Sequence, residues 1–304
     1  MNNKVVIIGC GNVGMSYAYS LLNQKSYVNQ LVLIDINEEK AQGEAMDLNH
    51  GLSFGPSKID IKAGNYSECR DAKIVVIAAG ANQNVGETRM DLIYKNNDIF
   101  KSIVEEVMKS GFRGIFMIAT NPVDVMTYVT WKYSKLDNSR VIGTGTTLDS
   151  SRLRYEIGEE LAINPKNVHA YVLGEHGDTE FVPWSNATIG LTDISEFIDK
   201  EKRDYIENKV RNVAYDIIKK KGNTSYGIGM SMTRITNAIL GNENSILTVS
   251  SYDKENDVFV GGPTIINQNG VKKRLFIPLT EEEENKLTHS INTLKDAINK
   301  LNIK

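Results

Sequence analysis

Lys4-Val5-Val6-Ile7-Ile8-Gly9-Cys10-Gly11-Asn12-Val13-Gly14 decides the fold of this chain. Val5 to Ile8 are apolar without interruption, as in a strand buried on both faces of a parallel sheet. Glycines follow at 9, 11 and 14, then a helical pattern from Met15 to about Asn23. A second apolar run, Leu31 to Ile34, ends in Asp35. In this order each glycine has a task. Gly9 permits the tight turn, Gly11 lets the backbone approach a pyrophosphate, and Gly14 lets helix and strand pack closely. The helix N-terminus offers unpaired N–H groups and a positive dipole end to the phosphates. Asp35 stands where a carboxylate accepts hydrogen bonds from a ribose, and its charge repels a 2′-phosphate, so NAD is expected rather than NADP. A glycine-rich turn alone is common; strand, glycines, helix, strand and acid in register are not.

Outward from this stretch the alternation continues. Asn37 to about His50 reads as a helix with Asn37 as N-cap, Gly51 to Ser57 as a turn, and Ile59 to Ala63 as a strand. Ile74 to Ala79 is a central strand by its apolarity, and Gly80 to Glu87 reads as a mobile loop. A long amphipathic helix runs from Thr88 or Arg89 to Ser110, a strand from Gly114 to Ala119, and a helix from Pro122 to about Tyr133. Val141 and Ile142 lead into Gly143. This order predicts a Rossmann-type, doubly wound parallel sheet over residues 1–143, followed by an α+β domain over 144–304. In the second part Thr147–Ala162, Ser195–Lys221 and Tyr226–Leu240 read as helices. Val168–Leu173 reads as a strand, and Ile246–Ser251, Val258–Ile266 and Val271–Ile277 as antiparallel strands. Thr280 with Glu283 forms a capping box for a last helix to about Leu301.

The bulk numbers narrow the function classes. The 304 residues are 41% hydrophobic and 24% charged, as in a globular protein. A net charge of −3 gives no general attraction to nucleic acid or to an anionic membrane. The two cysteines, Cys10 and Cys69, form neither a disulfide framework nor a metal knuckle, so no metal and a reducing compartment, the cytoplasm, are expected. No signal peptide or membrane span is read.

Hydride delivery to a 2-keto acid needs a proton donor, a partner for that donor, a cation for the carboxylate and a polariser for the carbonyl. Gly174-Glu175-His176-Gly177-Asp178 offers a histidine between glycines, a group that gives and recovers a proton near neutral pH. Asp149 and Arg152 sit at i and i+3 on a helix start. They fit two readings: a partner for His176 beside a two-pronged carboxylate clamp, or an ordinary surface ion pair.

With these stretches the chain resembles the bacterial L-lactate dehydrogenases of the lactate/malate dehydrogenase family. The likeness is carried end to end by the glycine loop with Asp35, by Ala81-Asn82-Gln83-Asn84-Val85-Gly86-Glu87-Thr88-Arg89, by Asn121-Pro122-Val123-Asp124, by Leu148-Asp149-Ser150-Ser151-Arg152, and by Gly174 to Asp178. The resemblance implies that His176 is the proton donor and acceptor, Asp149 its partner, and Arg89 the carbonyl polariser on a closing loop. It places Gln83, Asn121, Asp124, Arg152 and Thr224 at the substrate. Malate enzymes carry Arg where Gln83 stands; neutral Gln suits pyruvate and leaves a second carboxylate unpaired. For the cofactor it implies Gly9, Gly11, Val13, Gly14, Asp35, Lys40, Tyr66, Gly80, Ala81, Ser102, Ala119, Asn121, Thr144 and Ile228. Arg154 and His169 match positions that bind fructose 1,6-bisphosphate between subunits of allosteric bacterial enzymes, and a homotetramer built as a dimer of dimers is the family expectation. With the first glycine at residue 9, no N-terminal arm of the vertebrate kind is expected. The competing readings are a malate dehydrogenase, a dehydrogenase of bulkier 2-hydroxy acids, and a non-catalytic NAD-binding protein.

Overall fold

The computed structural model describes residues 2–81, 89–301 and 303, with the side chains of Arg89 and Asp91 also outside the description. The first half alternates as its apolar runs dictate. In chain order it forms β1 (Lys4–Ile8), α1 (Asn12–Asn23), β2 (Gln30–Ile34), α2 (Glu38–Gly51), β3 (Asp60–Ala63), β4 (Ile74–Ile77), α3 (Arg89–Lys109), β5 (Ile115–Ile118), α4 (Val123–Ser134) and β6 (Val141–Gly143). These six strands are parallel in the order β3-β2-β1-β4-β5-β6. Successive residues of β1 point to opposite faces, which explains its unbroken apolarity. Val6 and Ile8 join a core with α3 and α4, while Val5 and Ile7 join one with α1.

The second half forms α5 (Thr147–Leu161), β7 (Val168–His169), β8 (Thr188–Ile189), β9 (Thr192–Asp193), α6 (Lys200–Lys221), α7 (Tyr226–Leu240), β10 (Ser245–Leu247), β11 (Ser250–Asp253), β12 (Val258–Gly261), β13 (Thr264–Asn267), β14 (Gly270–Arg274) and α8 (Glu281–Asn299). β11 lies antiparallel to β6 and β12 antiparallel to β11, so the central sheet has eight strands, two of them from the second half. β10, β13 and β14 make one small sheet, and β7, β8 and β9 another. Leu153, Ile157, Val168, Ile206 and Val210 form a separate small core under α5 and α6.

Several boundaries differ from the periodicity. Within the strand expected over Val168–Leu173 an isolated antiparallel bridge joins Leu173 to Phe181, and the ladder proper holds Val168 and His169. Beyond them side chains occupy the backbone groups: Arg154 Nε donates to Ala170 O, Ser150 Oγ accepts from Val172 N, and Thr146 Oγ1 donates to Val172 O. The helix expected from Ser195 starts at Lys200, because Asp199 accepts from Lys202 N and caps it there. The run Val258–Ile266 splits at Gly262-Pro263 into strands of two different sheets. Ile246–Ser251 splits likewise, and the strand from Val271 stops at Arg274. Helix α1 starts at Asn12, three residues before the expected Met15. Asn37 does accept from Lys40 N as the cap of α2, and the Thr280–Glu283 capping box is formed.

Candidate active site

The glycine loop folds as its spacing requires. Gly9 has φ +106°, and a Cβ there would lie 2.5 Å from Ala79 N on the neighbouring strand end. A Cβ on Gly14 would strike the Gly9 carbonyl oxygen, whereas one on Gly11 would meet nothing within 4 Å. The space beside Gly11 is therefore open to a ligand. Gly11 caps α1 without a side-chain bond, which leaves the first amides of the helix for an anion. Asp35, at the end of β2, accepts from Cys10 N (2.7 Å) and Asn37 N (3.0 Å). It thus holds the loop against β2 and keeps carboxylate lone pairs for ribose hydroxyls. Cys10 is buried, and burial pushes its thiol up to about 12, so it is no nucleophile.

Of the other sequence-derived cofactor residues, Gly80, Ala81, Ala119, Asn121 and Thr144 lie at the carboxyl ends of the neighbouring strands. Gly80 and Ala81 follow β4, Ala119 and Asn121 follow β5, and buried Thr144 follows β6, its amide donating to Ile118 O. Asn96 of α3, absent from the sequence reading, ties two of these ends together. Its Oδ1 accepts from Ala81 N (2.8 Å) and its Nδ2 donates to Asn121 O (3.0 Å). Val13, Ala119 and Ile228 of α7 pack against one core, so an apolar wall borders the glycine loop. Lys40 is exposed on α2, Tyr66 packs on the core in a short turn before β4, and Ser102 is exposed on α3. Thr224 is half-buried in the link between α6 and α7. Gln83 lies outside the described residues, as do most of the loop read over Gly80–Glu87 and the Arg89 side chain; the Arg89 backbone opens α3.

His176, Asp149 and Arg152 come together. Asp149 Oδ2 lies 2.6 Å from His176 Nδ1, and its Oδ1 accepts from Arg152 Nη1 at 2.8 Å. The Asp149 side chain is 2% exposed and the His176 ring 25%. Burial disfavours the Asp149 charge, but the His176 ring and the Arg152 guanidinium outweigh it and hold this carboxyl below its usual range. Burial likewise opposes a charged imidazole, and the Asp149 carboxylate overrides it, raising His176 to about 9. An ionised Asp149 can only accept, so Nδ1 carries a hydrogen and Nε2 is the atom left to exchange a proton with a ligand.

The loop bearing His176 is fastened on three sides. Gly174, with φ +96°, exchanges two backbone hydrogen bonds with Gly261 of β12. Glu175 N donates to Ser290 Oγ of α8, and His176 N donates to Asp124 Oδ2 of α4 at 2.7 Å. Asp124 is expected at the substrate from the resemblance; in this structure it is 1% exposed and meets the backbone of the His176 loop. What it does for a substrate therefore passes through His176. Burial pushes the Asp124 carboxyl up to about 6. Glu180, also missed in the sequence, places a carboxylate oxygen 4.0 Å from His176 Nδ1. Asp149, His176 and Glu180 have one ligand atom each within 4.8 Å of one another. Arg152 already neutralises Asp149, so this trio is arranged for a proton rather than for a metal ion.

Residues 3–143 match the family model described as the NAD-binding domain of lactate/malate dehydrogenases, and residues 146–303 the alpha/beta C-terminal domain of the same enzymes. The chain belongs to the lactate/malate dehydrogenase family. It is an NAD-dependent oxidoreductase of that family. It is 53% identical over 306 residues to the L-lactate dehydrogenase 2 of Bacillus anthracis, covering 97% of both chains. It is 53% identical over 307 residues to the L-lactate dehydrogenase 2 of Peribacillus psychrosaccharolyticus, covering 98% and 96%. A lactate dehydrogenase from a Medee basin deep-sea metagenome superposes with a TM-score of 0.96 at 51% identity, covering 99% of each chain. The minor L-lactate dehydrogenase of Enterococcus mundtii in its ligand-bound form gives 0.96 at 46% identity, covering 100% and 99%.

Arg154 and His169 lie on one side of the second half. His169 is exposed on β7, and half-buried Arg154 donates to the carbonyl of the next residue, Ala170, with its guanidinium 5.1 Å from the Tyr171 ring. Among the described residues no helix is long and apolar enough to cross a membrane.

Proposed function

We propose that the protein interconverts pyruvate and L-lactate, the last step of lactic fermentation, in the cytoplasm. The observation that carries this reading is the single buried carboxylate of Asp149 shared between the His176 ring and the Arg152 guanidinium. Residues 1–143 hold the cofactor and 144–304 supply most of the reacting groups. Bound NADH supplies the hydride to the keto carbon.

The chain's own groups do the rest. Protonated His176 gives its Nε2 proton to the carbonyl oxygen as that oxygen gains charge, and recovers one when lactate is oxidised. Asp149 keeps the ring oriented and stabilises its charged form. Arg152 uses one nitrogen on Asp149 and keeps the rest of its fork for the substrate carboxylate. Arg89 polarises the carbonyl, Asn121 and Thr224 complete the substrate pocket, and Asp124 serves the substrate through the His176 backbone that it holds. Gln83, being neutral, accepts the methyl group of pyruvate and leaves the second carboxylate of oxaloacetate unpaired, at a cost of several kcal/mol in a closed site.

The test is NADH absorbance with pyruvate, oxaloacetate and 2-ketoisocaproate. Pyruvate is expected to be reduced fastest. A preference for oxaloacetate would overturn the use made of Gln83, and NADH binding without turnover of any keto acid would favour a non-catalytic NAD-binding protein. His176→Asn should still bind NADH but lose most turnover; wild-type rates in that variant refute its role. Arg154 and His169 are proposed to bind fructose 1,6-bisphosphate as an activator in a homotetramer, because a bisphosphate needs fixed positive charge and an interface can supply it twice.

A further inference from the structure

We propose that Glu180 is a positioning residue for the catalytic histidine: its buried carboxyl, four residues beyond His176 and 4.0 Å from Nδ1, sets how firmly the imidazole holds its proton. The proposal rests on the function assigned to His176 above and adds to it a second carboxyl behind the ring.

The Glu180 side chain is 6% exposed. A buried carboxylate normally takes a guanidinium or ammonium partner. Arg211 of α6 stands near enough, but its Nε and Nη2 donate to the Glu180 backbone carbonyl and its Nη2 also pairs with Glu207 Oε1. The groups facing Glu180 are otherwise Asp149 and Arg152 of α5 and the His176 ring. Asp124 of α4 faces the same ring, and Lys286 and His289 of α8 line a cavity together with Glu180. Two carboxyls this close to one imidazole disfavour each other's charge. Asp149 has the short bonds to His176 and Arg152 and takes the charge. Burial, and then the Asp149 charge, hold Glu180 well above the usual carboxylate range.

Glu180 therefore keeps its proton to higher pH than an ordinary carboxyl does. As pH rises it ionises and adds a second negative charge beside the ring, which keeps the donor protonated further into the alkaline range. Glu180 borders a cavity on the side away from the glycine loop. The cavity, of about 180 Å³, is lined by Asp178, Thr179, Phe181, Arg211, Lys286 and His289, none of which belongs to the glycine loop or to the His176–Asp149–Arg152 set.

The experiment compares kcat/KM for pyruvate against pH in the wild type, Glu180→Gln and Glu180→Asp. The readout is the alkaline midpoint rather than the rate. Gln copies the neutral carboxyl but cannot ionise, so its midpoint should fall by roughly half a pH unit or more, as for loss of one charge at this distance in a partly wet site. Asp should recover part of that shift. An unmoved midpoint, with or without a uniform fall in rate, overturns the proposal. If the Gln protein does not fold, Glu180→Ser is read in the same way. The His176 ring is also titrated by NMR in the same proteins, its signal assigned by loss in His176→Asn. If the wild type reduces no keto acid, the proposed function fails, while a lowered His176 titration in the Gln protein still supports the link to Glu180 and an unchanged one overturns it.

Discussion

At the residue scale the decisive contact is the 2.6 Å approach of Asp149 to His176. It fixes which ring nitrogen faces the ligand and when that ring is charged. His176 rises from 6.5 to about 9, although its burial acts in the opposite direction. A raised pKa on a basic group means that the stabilisation from this pair is fully present below about pH 6.5 and is lost as pH climbs through about 9. Under the proposed mechanism pyruvate binds productively only to the protonated ring. Its KM is thus expected to stay level through neutral pH and to rise about tenfold per pH unit beyond about 9, with lactate oxidation favoured there. Initial rates measured over roughly pH 6–10, the range in which a histidine so perturbed titrates, check this. A KM already rising near pH 6.5 would mean that Asp149 does not govern the ring.

At the element scale the seam between α1 and α7 links the cofactor loop to the apolar wall that includes Ile228. A Cβ on Gly229 would lie 2.7 Å from Ser16 O, and the helices also join through Tyr17–Thr236 and Thr233–Ser20 hydroxyl bonds. Gly229→Ala should overpack this crossing and cost about 1–3 kcal/mol, read as a lower urea or thermal midpoint. An unchanged midpoint would show that α7 can slide away without loss. Much at this scale was legible in the sequence. The buried runs of β1, β2, β4 and β5, the caps at Asn37 and Thr280, and the glycine turn are local signals, and local hydrogen bonds and packing realise them. Partner choice was not legible. Nothing in Ser250–Asp253 says that it will lie beside β6, because an alternating strand specifies its faces and not its neighbour. His176, Asp149 and Arg152 stood out in their stretches, but their joint role came from the resemblance, and only the fold brings the three together. Asn96 and Glu180 did not stand out, since each matters through contacts that only the folded chain brings together.

At the scale of the whole molecule the surface carries exposed apolar and aromatic side chains. Tyr19, Met46, Phe54, Tyr226 and Met230 are exposed on and beside α1, α2 and α7, and a cavity of about 730 Å³ is lined by the first and the last two of them. Exposed apolar groups gathered in this way suit a subunit contact. Light scattering should give a mass above that of one chain, moving toward four chains when fructose 1,6-bisphosphate is added. The same addition should lower the pyruvate concentration needed for half-maximal rate, and Arg154→Gln should abolish both responses. A parent protein that ignores the bisphosphate removes the effector claim. The sheet itself carries a last consequence. β6 is bordered by β11 through Gly143 and Ser250, more than a hundred positions apart in the chain. While the polypeptide is still emerging from the ribosome, the nucleotide-binding strands can be complete and yet have a raw margin, open to pairing with a neighbouring nascent chain. That margin closes only when β11, more than a hundred residues further along the chain, has been made, so until then β6 is open to the strands of other copies.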